Sequence, residues 1–280
     1  MYIKSMSPKT DLTNENFWNN FWQTVKLPAL IDEGVQWQMA LAKIFREYLV
    51  NDQSLKVIEI GCAPGRWLIW FNKNLGYKIA GCDNSPRGIQ LTQKNLELNL
   101  LSAELYPYDL QKDGLPTASF DIVLSLGVIE HFDDPLCIIE KHLELLKPGG
   151  TLVLEVPNMA GRFNHWLLRR AKMQNLLKHH NLDVMRKEFF YDIGQRFSLQ
   201  IRLIDYVGGF DPGMVVHNHS YKSRWGRPAV FYILWLLERL SGKFPLIPKF
   251  LIRHNAPSFS NMLLAIFVKP ANADGLNHEN

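Results

Sequence analysis

Residues 57–66 read VIEIGCAPGR: an apolar run that ends at Ile60 and breaks into a loop holding two glycines, Gly61 and Gly65. A short apolar run stopped by glycine reads as a fully buried strand. Working outward, strand-like runs alternate with helical ones. Lys56–Ile60 is followed by a helix after Gly65, Lys78–Cys82 by a helix from Pro86 to Leu100, and Ala103–Tyr108 by Phe120–Leu126. A helix from Asp134 to Leu146 then ends at Lys-Pro-Gly-Gly before the strand Thr151–Val156. Buried strands alternating with helices predict an α/β fold, a doubly wound, mostly parallel sheet built from βαβ crossovers.

The flanks read differently. Residues 1–50 are helical in pattern, with Phe17, Trp18, Phe21 and Trp22 at i, i+1, i+4 and i+5 and an amphipathic stretch from Val35 to Val50. After Pro157 the sequence turns basic and helix-prone, over Met159–Lys178 and Asn181–Tyr191, before a predicted strand at Leu199–Val207. The loop GGFDPGMVVHNHS, an apolar helix Pro228–Leu240 and a strand Met262–Val268 complete the pattern. The expected organisation is one domain over 1–280: a helical cap (1–50), a ligand-binding half (51–157), an acceptor-side half with a basic helical insertion (158–260), a last strand (261–270) and a polar tail (271–280).

With 280 residues and 47% hydrophobic content the chain can bury a large core. Its longest apolar run, Pro228 to Leu237, has ten residues, against roughly 20 for a membrane-spanning helix. The first residues carry no apolar stretch of signal-peptide kind, so a cytoplasmic location is expected. Cys62, Cys82 and Cys137 have no C-x-x-C spacing; they are expected to be buried and to form neither disulfides nor a zinc site. The net charge is +4, but Asn158–Arg227 holds 12 Lys/Arg against 5 Asp/Glu, a local +7. That segment reads either as a face toward an anionic ligand or as a solvated helix surface.

In doubly wound sheets ligands sit beyond the carboxyl ends of the strands, where strand order reverses. A dinucleotide loop needs G-x-G-x-x-G so that backbone amides can cradle pyrophosphate. Here the middle glycine is Ala63, and Pro64 has no amide to donate. Acids recur at the strand ends, Glu59, Asp83 and Asp109, and such a ring repels pyrophosphate. It suits a ligand with a cationic centre, a ribose diol and an adenine amine. Those requirements describe S-adenosylmethionine.

These residues resemble the class I S-adenosylmethionine-dependent methyltransferases of small-molecule type. The matching stretches run in order from Lys56 to Asn158: VIEIGCAPG, GCDNS, YPYDL, FDIVLSLGVIEHF and LKPGGTLVLEVPN, with FSNMLLAIFVKP near the end of the chain. The resemblance implies a Rossmann-like seven-stranded sheet whose last strand is antiparallel. It also implies S-adenosylmethionine as cofactor, with Gly61, Cys62, Ala63 and Gly65 near its methionyl part, Asp83 and Asn84 at the ribose, and Asp109 and Leu110 at the adenine. Glu59 would order the amino end, and the backbone at Leu126 and Gly127 would receive the amino group. Asp121 and Pro148, also within the matching stretches, read as structural.

The reaction implied is methyl transfer to a small-molecule acceptor, at oxygen, on a glycan, a lipid-linked compound or another metabolite. A sugar or aliphatic hydroxyl needs a base. His131 is the candidate catalytic base, against a second reading as a structural histidine bonded to its loop. His217 and His219 alternate in an extended stretch but are too few to define a metal site, so no metal is expected. Arg162, His165, Arg169 and Arg170 form a basic helical cluster. The apolar segment 228–252 reads as core or as peripheral membrane contact. RNA or protein methylation, a nicotinamide dehydrogenase and a non-catalytic binding protein stand as alternatives. No nucleic-acid module is recognisable, so no nucleic-acid partner is expected.

Overall fold

A computed structural model describes residues 12–109, 114–211 and 254–271, together with Ala229, Tyr232, Ile233 and Leu236. Helices α1 (Glu15–Phe21) and α2 (Gln36–Tyr48) precede β1 (Lys56–Ile60), α3 (Arg66–Leu75), β2 (Lys78–Cys82), α4 (Pro86–Leu98) and β3 (Glu104–Tyr106). Then come β4 (Phe120–Leu126), α5 (Pro135–Leu145), β5 (Leu146–Pro157), α6 (Arg162–Arg170), α7 (Gln174–Leu177), α8 (Lys187–Arg196), β6 (Gln200–Val207) and β7 (Met262–Val268).

The sheet order is β3-β2-β1-β4-β5-β7-β6. Strands β1 to β5 pair in parallel, and β7 runs antiparallel between β5 and β6. The seven-stranded, doubly wound sheet expected from the sequence is therefore present. Its direction of winding reverses between β1 and β4, which opens a crevice at their carboxyl ends.

Local chemistry explains the elements around that crevice. Helix α3 starts at Gly65 (φ +81°) and stops at Gly76 (φ +73°), two left-handed positions. It buries Trp67, Leu68, Trp70 and Phe71 against the sheet and Phe45 of α2. Truncating a fully buried ring such as Phe71 to alanine costs about 3–5 kcal/mol. Helix α4 has Ser85 as its N-cap, accepting the Gly88 amide at 2.9 Å, and Pro86 in its first turn. Asp121 accepts the Lys56 amide at 2.9 Å and pairs with Lys147 at 2.8 Å, so it ties β4 to its neighbours, the structural part expected of it.

Several boundaries depart from the sequence reading. The third strand is only Glu104–Tyr106, because Pro107 has no amide for the ladder. The fifth begins at Leu146, within the stretch read as a helix end, and takes in Lys-Pro-Gly-Gly through a register shift against β4. The basic stretch Met159–Lys178 is not one helix; it breaks at Lys172, whose φ is +58°, into α6 and α7. Asn181–Tyr191 opens with a short 3-10 turn, Leu182–Val184, before α8. Cys62 and Cys82 are buried as expected, whereas Cys137 is half-buried.

Candidate functional site

A cavity of about 290 Å³ lies at the strand-order reversal. Its floor and one side come from the strand ends, through Ile60, Gly61, Ala63, Cys82, Asp83, Asn84, Leu126 and Gly127. Tyr108 and Asp109 follow β3, and Val128, His131 and Phe132 follow β4. The other side is aromatic: Trp18, Phe21 and Trp22 from the first helical turns, with Thr13. Asn14 caps α1 by accepting the Phe17 amide at 2.9 Å, and Asn19 binds the Ser85 hydroxyl at 2.7 Å, which fixes this helix over the cavity.

The glycine loop has no amide left for a phosphate. Gly61 and Cys62 both donate to the Cys82 carbonyl, at 2.8 and 3.1 Å. Ala63 donates to Asp83 Oδ2 at 3.1 Å and Gly65 to the Cys62 carbonyl at 2.6 Å, while Pro64 has no amide. Gly61 is required twice over: its φ is +74°, and a Cβ there would stand 2.6 Å from Val128 Cγ2.

Asp83 presents the wall's buried acid. Its other oxygen accepts the Ser85 amide at 2.9 Å, so each oxygen retains a lone pair for a ligand. Burial lifts this carboxyl to about 6, against the pull of the Ser85 and Ala63 amides. Asn84 and Asp109 also line the cavity.

Three sequence-selected residues stand behind the wall rather than in it. Glu59 is buried within β1, and its Oε2 has no hydrogen-bond partner. Burial pushes its carboxyl well above the ordinary range, with Arg66 opposing and Asp83 adding to the shift. Cys62 packs beneath the loop, where its sulfur fills the space that a side chain at Gly81 would need. Gly65 turns the loop into α3 with the Thr92 side chain against its Cα. Leu110 lies outside the described residues, as do His217, His219 and most of 228–252.

His131 lines the cavity and is 7% exposed. Its Nδ1 meets the His179 carbonyl at 2.7 Å, and its ring packs edge-on against Trp18. Burial, and next the nearby His180, hold its pKa down to about 3, so the imidazole is neutral. Its loop is stapled on both sides: the Leu12 amide donates to the His131 carbonyl at 2.9 Å and the Asn181 amide to the Glu130 carbonyl at 2.6 Å. The His131 ring is thus tied to the segment at His179, and the same bond leaves Nε2 unprotonated.

Sequence reasoning did not select Trp18, Phe21, Trp22, Tyr108, Phe132 or His180. The aromatic pairs of the first helix were visible as a pattern, but nothing in the pattern says what they cover. The basic cluster Arg162, His165, Arg169 and Arg170 lines a separate shallow cleft on α6 with Trp166 and Gln174. Among the described residues no helix is long and apolar enough to cross a membrane.

Comparison with known proteins adds the following. Residues 35–202, more than half of the chain, match a family model described as a methyltransferase domain. A ubiquinone biosynthesis O-methyltransferase of Cereibacter sphaeroides is 33% identical over 106 residues, 38% of this chain and 42% of that protein. A tRNA N(3)-cytidine methyltransferase of Gallus gallus is 29% identical over 145 residues, 49% of this chain and 38% of that protein. The chain thus spans less than half the length of these curated relatives. The fold of geranyl diphosphate C-methyltransferase from Streptomyces coelicolor superposes with a TM-score of 0.58 at 11% identity, covering 91% of this chain and 98% of that one.

Proposed function

The chain belongs to the methyltransferase-domain family of class I, S-adenosylmethionine-dependent enzymes, and from that premise we propose that it methylates an oxygen of a small-molecule acceptor. The observation that carries the cofactor side is the pairing of two acids with a loop that has no free amides. Asp83 and Asp109 line the cavity at the ends of β2 and β3, while the amides of residues 61–65 are all internally bonded. That chemistry accepts ribose hydroxyls and an adenine amine, and the loop itself keeps no amide for a pyrophosphate.

In this reading Asp83, with Asn84, receives the ribose, and Asp109 and Leu110 flank the adenine. Gly61 and Ala63 let the methionyl chain approach, with Cys62 and Gly65 shaping the loop behind them. The backbone at Leu126 and Gly127 receives the amino group, and Glu59, buried within β1 behind the loop, orders that end of the site. The sulfonium is already an activated donor, so the remaining task is to hold the acceptor oxygen in line with the S–CH3 bond. When bound, S-adenosylmethionine would supply the methyl group: the O–C bond would form as C–S breaks with sulfur keeping the electron pair, and the hydroxyl proton would pass to His131 Nε2 or to solvent.

The acceptor side supports a small, largely apolar partner. Trp18, Phe21, Trp22 and Phe132 give the cavity aromatic walls, which favour a flat ring or a lipid-like chain. His131 presents its unprotonated Nε2 on that side. The resemblance to an enzyme of ubiquinone biosynthesis points the same way.

Calorimetric titration of the purified chain with S-adenosylhomocysteine tests the cofactor side. Methyl transfer to a panel of phenols, catechols and aliphatic alcohols tests the acceptor side. Absence of heat with S-adenosylhomocysteine overturns the proposal. A second reading, RNA methylation, draws on the local +7 and the tRNA-modifying relative. It requires salt-dependent binding of bulk tRNA, which the first reading does not.

A further inference from the structure

Three side chains from two distant segments converge beside the cavity. Glu130 and His131 stand in the turn after β4, and His180 in the turn after α7. One ligand atom from each lies within 4.8 Å of the other two. Glu130 Oε1 and His131 Nε2 are 3.8 Å apart, and the two imidazole centres 4.6 Å.

Both rings are fixed through Nδ1. His131 Nδ1 meets the His179 carbonyl at 2.7 Å and His180 Nδ1 meets the Leu176 carbonyl at 2.8 Å. A ring that donates its Nδ1–H to a carbonyl keeps Nε2 as a lone pair. Metal-ligating histidines are oriented in this way by their second ring nitrogen. Glu130 is 1% exposed and its Oε2 has no hydrogen-bond partner. Glu155, buried on β5, adds a second carboxyl close enough to act on Glu130 electrostatically. The lone pairs of one carboxyl and two imidazoles thus converge on one point, a donor set that a cation can satisfy.

We infer that Glu130, His131 and His180 bind one divalent first-row transition ion, Zn2+ in the first instance. One carboxylate with two imidazoles suits Zn2+ or its neighbours, whereas Mg2+ and Ca2+ prefer all-oxygen shells. An ion at roughly 2.0–2.2 Å from each ligand bridges a separation such as that between Glu130 and His131. Three protein ligands leave a position open, as in catalytic sites. Of the three ligands His131 lines the cavity, which puts the ion beside the acceptor side.

The inference deepens the methyl-transfer reading and rests on it for its role. An acceptor hydroxyl bound to the ion releases its proton to solvent, because the cation stabilises the oxyanion. The oxyanion attacks the methyl carbon, forming O–C as C–S breaks. Sulfur keeps the electron pair, and no oxidant or reductant is consumed. His131 then activates the acceptor through the ion rather than by taking the proton itself.

The test uses the full chain, stripped with a chelator and titrated with Co2+ and Zn2+. One Co2+ per chain should bind, with visible d–d absorption that Zn2+ abolishes. Glu130→Gln and His180→Ala should each lose metal affinity by more than about 100-fold, beyond the 10- to 100-fold typical of an outer-shell partner. Thermal melting reports whether each variant is folded, and if His180→Ala is not, the near-isosteric Glu130→Gln decides. Substoichiometric Co2+, or equal affinity in wild type and folded variants, overturns the site. S-adenosylhomocysteine titrated into the same stripped protein separates the two ideas: retained heat without metal binding removes the metal site alone, whereas lost heat removes the methyl-transfer reading.

Discussion

The Asp83 carboxylate accepts the Ala63 amide at 3.1 Å, tying the end of β2 to the loop that leaves β1. One group therefore closes the loop and lines the cavity. Because burial lifts it to about 6 from an ordinary 3.8, two opposed pH trends follow. Without ligand, its folded-state pKa is the higher one, so its contribution to stability is fully present below 3.8 and is lost as pH rises through about 6. A ligand that donates hydroxyls to the ionised carboxylate gains affinity over the same rise. S-adenosylhomocysteine should bind more weakly at about pH 5 than at about pH 7.5. Asp83→Asn should weaken binding throughout and flatten both trends. Equal pH dependence in wild type and Asp83→Asn would remove Asp83 from the ligand.

Gly61→Ala tests the loop itself. The added methyl meets Val128 Cγ2 at 2.6 Å on a backbone with φ of +74°. Left-handed strain costs of order 1–3 kcal/mol, and the contact adds to it. The melting temperature should fall, and Val128→Ala in the same chain should recover only the contact. Full recovery in the double variant, read by scanning calorimetry, would mean that the backbone carries no strain.

His131→Ala should lower turnover at least a hundredfold, as expected for a group acting on the acceptor, and leave S-adenosylhomocysteine affinity within about twofold. Cofactor affinity and turnover falling together would point instead to collapse of the stapled loop. Near-normal turnover would exclude His131 from the reaction.

The fold was legible because buried parallel strands are short apolar runs with glycines and acids at their ends, and those signals are local. VIEIG, GCD and FDIVLSLG each identify a strand and its carboxyl end without reference to the rest of the chain. Boundaries were lost where a single backbone position decided them, as at Lys172 with its positive φ or at Pro107. Depth was lost too. Glu59, Cys62 and Gly65 neighbour cavity residues in sequence, but alternation along the strand and the turn of the loop put them behind the wall. The cluster of Glu130, His131 and His180 was illegible for another reason: its members come from two turns fifty positions apart, brought together by the stapling of Asn181 to Glu130. No spacing rule encodes such a meeting.

The apolar segment after residue 228 carries the last prediction. Ala229, Tyr232, Ile233 and Leu236 are helical and all exposed, with Ile233 at 58% and Leu236 at 49%. Their spacing, i, i+3, i+4 and i+7, places them on one face of a helix. This exposed apolar face is what the membrane-contact prediction rests on. The same sequence region supplies Arg224, Arg227, Arg239, Lys243 and Lys249, a composition suited to anionic lipid. Vesicles containing phosphatidylserine should therefore co-sediment the chain at low salt. Ile233→Glu with Leu236→Glu should abolish that binding while leaving the melting temperature within a few degrees, since neither side chain is buried. No sedimentation with anionic vesicles, or a large loss of stability in the double variant, would return the stripe to the core.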